Sequence, residues 1–242
     1  MRILIPALFL PMILVLLCGK LQEWLRRALQ ARPALVFAAP AGLSLLFLGI
    51  AAALDALNGP LAVLVFAYTL APTACCYFWR RRPAPAWVDF LTMLLLWLPL
   101  EFAAGARWVP KPAQGLLHMA AYGISVVLGL VLLLLFRRLA DVKYNLPHSA
   151  RDFLNALLGF IAVAPVLIVL GRALGFLDPF HVAQRLSAAR LGTQFLIILA
   201  ATALPEEILF RGFIQNSLMQ KLGPKTSTLL LAALIFGCAH LD

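Results

Sequence analysis

Long apolar runs, each closed by a short polar or basic stretch, set the period of this chain. They cover residues 1–19, 33–54, 60–79, 87–104, 115–136, 153–174, 191 to about 221, and 226–242. A run of about 20 apolar residues, wound as a helix at about 1.5 Å per residue, matches the hydrocarbon thickness of a bilayer. The pattern predicts an all-α fold, a polytopic transmembrane helix bundle of about eight spans. Residues 20–32 read as a basic connection, residues 55–59 as a tight polar turn, and Arg80, Arg81 and Arg82 as a stop after the third run. Pro165 predicts a kink in the sixth. The first run carries Arg2, Pro6 and Pro11 but no small-residue cleavage site before Lys20, so it reads as a retained span and not as a signal peptide.

Composition narrows the class. Hydrophobic residues make up 63% of the sequence and charged residues 12%, with a mean hydropathy of +0.95, which excludes a large soluble domain. The net charge of +10 would suit nucleic acid if it formed one patch. The basic residues are instead spread over the connections between apolar runs, so the lipid bilayer is the expected partner and no nucleic acid is. Fourteen of the twenty lysines and arginines fall on one side of the predicted bundle. The positive-inside rule puts that side in the cytoplasm, with the N-terminus outside and the connection around Gly223 inside. The expectation is a multi-pass integral protein of the plasma membrane, on this reading a bacterial one. Cys18, Cys75, Cys76 and Cys238 lie in apolar runs without metal-ligand or disulfide spacing and read as small buried residues.

Ionisable side chains at bilayer depth cost roughly 2.5–3.5 kcal/mol each on insertion scales, so their presence marks a task. The stretch Thr202-Ala203-Leu204-Pro205-Glu206-Glu207-Ile208-Leu209-Phe210-Arg211 sets two carboxylates and a guanidinium in the seventh run. Glu207 and Arg211 are four apart with the carboxylate first, which predicts an ion pair on one helix face. Fully buried, such a pair would cost ~3–5 kcal/mol to break. Glu206 is rotated about 100° from Glu207 and points elsewhere. A carboxylate in a poorly solvated site holds a proton more tightly, which suits a general base near neutral pH.

Phe236-Gly237-Cys238-Ala239-His240 supplies a second candidate. Between the two stretches, Lys221-Leu222-Gly223-Pro224-Lys225 predicts a turn. Glu206 and His240 each lie 17 residues from Gly223, so a pair of antiparallel helices would bring both side chains to the same depth. Cys238, two residues from His240, is turned about 200° from it and does not qualify as its nucleophile.

Glu206-Glu207-x-x-x-Arg211 followed by Phe236-x-x-x-His240 resembles the first two motifs of the intramembrane CAAX-protease and bacteriocin-processing family, also called the Abi family. The resemblance covers roughly residues 150–242. It implies a peptidase in which Glu206 and His240 activate a water that attacks a peptide bond, with Glu207 and Arg211 fixing the helix and contacting substrate. Its substrates would be peptides or membrane-protein segments cut near a C-terminus. Both metal-dependent and glutamate-based mechanisms fit such a family, so a divalent metal such as zinc stays open as a cofactor. A third family motif, His-x-x-x-Asn or His-x-x-x-Asp on a later helix, has no counterpart at the expected place. Residues 150–242 are therefore read as a protease-like domain cut short at its C-terminal end, and residues 1–149 as a membrane region without a motif. His148 and Asp152 have the third motif's spacing but lie in a basic loop and read as solvated residues.

The remaining polar intrusions carry less. Glu101 reads as a carboxylate snorkelling to the headgroups; His118 and His181 have no metal-ligand spacing and receive no role. An intramembrane peptidase with its site open to the cytoplasm is the preferred function. The alternative is a transporter or immunity-type scaffold that uses the same residues to bind protons or a ligand.

Overall fold

The computed structural model describes residues 3–80, 86–139, 149–178 and 187–239. Helices account for nearly all of them, with no strand among the described residues. They divide into two compact units, Met1–Tyr144 with Thr193–Asp242, and Asn145–Gly192.

The first unit opens with α1 (Leu4–Leu16) and α2 (Gly19–Ala31), bent by 78° from one another. Residues 20–32, expected as a connection, thus form a helix. Leu21, Leu25 and Leu29 recur every four residues and give α2 an apolar stripe, with Leu29 buried, while Lys20 and Arg27 stay exposed. Arg26 donates from Nε and Nη2 to the Leu134 carbonyl at 3.3 and 3.1 Å.

A 3₁₀ turn (Pro33–Phe37) leads into α3 (Ala38–Ala53), and α4 follows over Gly59–Phe78. Asn58 explains the start of α4: its Oδ1 accepts from Leu61 N at 2.9 Å and its Nδ2 donates to the Trp108 carbonyl at 2.7 Å. Next come α5 (Ala86–Glu101) and α6, which runs as Lys111–Gly129 and continues with wider π-helical winding over Leu130–Phe136. The second unit contains α7 (Ala150–Ala173), which continues through Pro165 and starts in a capping box between Ser149 and Asp152. That cap occupies the Asp152 carboxylate at the helix start; His148 lies outside the described residues.

The core of the first unit lies around α6, where residues 126–130 and 132–135 are all buried. Close approach of α1 depends on Gly123, since a Cβ there would collide with the ring of Phe9; small residues let membrane helices pack this way. Hydroxyls tie the helices where lipid gives no hydrophobic drive. Ser44 and Thr69 share a 2.8 Å hydrogen bond between α3 and α4. Tyr68 and Ser125 both donate to the Leu96 carbonyl of α5, at 2.7 and 3.2 Å. An ion pair is buried where α4, α5 and α6 come together: Arg137 Nε donates to Asp89 Oδ1 at 2.6 Å, with side-chain exposures of 2% and 15%.

Among the described residues four helices are long and apolar enough to cross a membrane, Pro33–Ala53, Gly59–Phe78, Lys111–Phe136 and Ala150–Ala173, and the bent pair of α1 and α2 makes a fifth candidate. The other expected spans are shorter or interrupted among the described residues. α5 has 16 residues, and the segment from Leu191 changes winding several times. Of the cysteines, Cys75 and Cys76 are buried as expected, whereas Cys18 and Cys238 are exposed.

Candidate functional site

The helix that carries the glutamates, α8, begins as Ala188–Ile198 and ends as Asn216–Leu222. Between these ends its winding widens to π-helical over Leu199–Ala203 and again over Glu207–Gln215, on either side of Leu204–Glu206. Pro205 gives a local cause, because it has no N–H to donate to the preceding turn and its ring crowds the carbonyl there. A wider register lets the chain pass a proline without breaking, and such stretches are frequent at functional sites.

Gly223, at φ +85°, ends α8 in a backbone conformation that favours glycine. The Thr228 hydroxyl donates to its carbonyl at 2.9 Å, and α9 (Thr226–Cys238) then returns along the Glu207–Gln215 stretch. The predicted turn and antiparallel return are both present. Phe210 and Phe236, each 13 residues from Gly223, meet edge to face with ring centroids 4.9 Å apart. Trp97 of α5 adds a third ring, 5.7 Å from Phe210. His240 itself lies outside the described residues, as do His181 and Asp242.

Glu206 is half-buried between buried Pro205 and Ile208 and lines two cavities. The larger, about 590 Å³, lies between α8 and α9 and holds Glu206, Glu207 and Arg211 on one wall, with Leu229, Ala233 and Phe236 on the other. The smaller, about 270 Å³, lies between α8 and α6 and is lined by Thr202 and Glu206 opposite Gly115, His118, Met119 and Tyr122.

The expected ion pair is present, with Arg211 Nη1 to Glu207 Oε1 at 2.8 Å. Its setting differs from the buried one considered above. The side chains are 69% and 42% exposed, so screening by solvent reduces the worth of the pair to about 0.2–1 kcal/mol. Glu207→Gln should therefore lower the melting temperature only slightly, which a thermal melt in detergent would read. A loss on the scale of a broken buried pair would show that the cleft closes over these groups.

Glu101 does not simply reach outward. Trp97 Nε1 donates to its Oε2 at 2.9 Å, and its charge lies within electrostatic reach of both His118 and Tyr122. Tyr122 is within reach of Glu206 as well, and its ring lies 5.5 Å from that of His118. Sequence reasoning missed His118, Tyr122 and Thr202 as neighbours of Glu206. The available signal was the spacing of Gly115, His118, Met119 and Tyr122, a single face of an apolar helix with two polar rings on it.

Among the described residues no group of three or more His, Cys, Asp or Glu side chains is placed to hold a metal ion. Glu206 and Glu207 are the carboxylates of the larger cleft, and Glu207 is engaged with Arg211. No curated protein and no solved structure matches the chain. Residues 189–242, the segment that carries the glutamate pair and its arginine, match the family described as type II CAAX prenyl endopeptidase Rce1-like, and this match establishes the family resemblance first read from the motif.

Proposed function

We propose that the chain acts as an intramembrane peptidase with Glu206 as its general base. The family match supports a CAAX-type intramembrane protease in general. The observation that carries the finer reading is the position of Glu206: half-buried, it borders both the cleft that holds Glu207 and Arg211 and a second cavity toward α6.

In the proposed reaction Glu206 takes a proton from water as the water oxygen bonds to the scissile carbonyl carbon. The protonated carboxyl then returns that proton to the leaving amine as the carbon–nitrogen bond breaks. The family motif assigns His240 to holding the water. This scheme requires no metal. The cleft is apolar along α9 and charged at Glu207 and Arg211, a lining suited to an apolar peptide or membrane-protein segment bearing polar groups near the cut. Cleavage of such peptides by the purified protein in liposomes is the test; no cleavage of any peptide would remove the reading.

Cavities on two faces of one carboxylate are also what a proton relay would show, which keeps the non-enzymatic alternative in view. Retained proton or ligand binding in a protein that never hydrolyses would favour it. For orientation, the charge distribution supports a cytoplasmic Gly223 turn. Reporter fusions after Lys225 and after Asn58 should give opposite signals, with Lys225 inside. A fusion showing Lys225 outside would reverse the side from which substrate enters.

A further inference from the structure

The smaller cavity has no place in the reaction as written so far, yet it touches the proposed base. Hydrolysis consumes one water per turnover, and a peptide seated between α8 and α9 would close that side of Glu206 to solvent. From this geometry we infer that the cavity between α6 and α8 is a water entry to Glu206, open to the side of the membrane opposite the Gly223 turn. This inference rests on the peptidase reading for its use, though not for its existence.

The direction follows from helix packing. Phe213 of α8 packs on Gly129 of α6, and Glu206 shares a cavity with His118 and Tyr122. Residue numbers thus rise together along the two helices, which run parallel. Gly115, at the Lys111 end of α6, is therefore at the opposite end of the pair from Gly223. Gly115, His118, Met119 and Tyr122 recur at i, i+3, i+4 and i+7, and Thr202 and Glu206 at i, i+4, so each helix gives one face to the passage.

The lining fits water. Four of the six lining residues carry a polar group, His118, Tyr122, Thr202 and Glu206, and Glu101 lends a charge within reach of the two rings. A volume of about 270 Å³ is room for water, and the four polar side chains offer partners to those waters that lie against them. His118 and Thr202 act here as hydrating and positioning residues that do not touch substrate.

Thiol accessibility tests the passage without any assay of hydrolysis. In the full chain, with exposed Cys18 and Cys238 changed to serine, Gly115→Cys and Thr202→Cys are reconstituted and treated from each side with a membrane-impermeant thiol reagent. Position 115 tolerates the change, since a Cβ there meets nothing within 4 Å. Both cysteines should react from the side where α6 begins, whereas Thr226→Cys, in the larger cleft, should react from the other. Reaction of Thr202→Cys only from the Gly223 side, or only after denaturation, would overturn the inference. Its use in hydrolysis is read by Gly115→Leu, which places a side chain at the mouth and should lower kcat with KM unchanged. An unchanged kcat would overturn the supply role. Labelling as expected, in a protein that cleaves nothing, would leave the water entry standing and instead remove the peptidase reading.

Discussion

Glutamine in place of Glu206 should lower peptide cleavage by at least ~10²-fold, the lower end of what a positioned general base contributes, while the protein folds as before. The amide keeps the size and planar shape of the carboxylate, so the walls of both cavities remain where they are. It cannot take a proton from water at neutral pH, and the first step of the proposed reaction fails. Because the loss lies in the chemical step, kcat should carry it and KM should change little. Turnover measured in liposomes beside a melting curve separates this from unfolding. Glu207→Gln provides the contrast: it removes a partner of Arg211 in an exposed pair, so its effect should fall on substrate contact and slightly on stability. Normal turnover by Glu206→Gln would sink the assignment of the base.

What the sequence could reveal was mostly local. Glu207 and Arg211 pair as their four-residue spacing requires, and the Gly223 turn and its antiparallel return follow from Gly-Pro between two apolar runs. The apolar lengths mark the helices but not their winding: α6 and α8 both widen, and Pro205 bears only on the stretches of α8, not on that of α6. α2 was hidden because its charges read as a loop, although Leu21, Leu25 and Leu29 already traced one helix face. The meeting of Tyr122 with Glu206 and that of Asp89 with Arg137 were beyond reach for a common reason. Each joins residues dozens of positions apart on helices whose faces are set by packing, and no single-sequence period encodes which face meets which.

Asp89 and Arg137 give the largest expected effect on stability. Arg137 appears in the sequence as one more loop arginine of the positive side, yet its guanidinium is only 2% exposed and bonds at 2.6 Å to a carboxylate in the first turn of α5. It also donates to the Trp79 carbonyl at 2.9 Å, where α4 ends. One side chain thus fastens the ends of three helices. Asp89→Ala takes a carboxylate at 2.6 Å away from a buried cation. Breaking such a pair from one side costs ~3–5 kcal/mol, which for a protein of this size is on the order of 10 °C in melting temperature. The cost belongs mainly to leaving a buried cation short of this carboxylate and not to the pair itself, because well-packed apolar replacements of buried ion pairs are often neutral. Asp89→Leu combined with Arg137→Met should therefore recover much of what Asp89→Ala loses. Melting curves of the single and double variants in one detergent decide it: an unchanged single variant would show that water reaches the pair, and a double variant as unstable as the single would show that the helix ends need the bonds themselves.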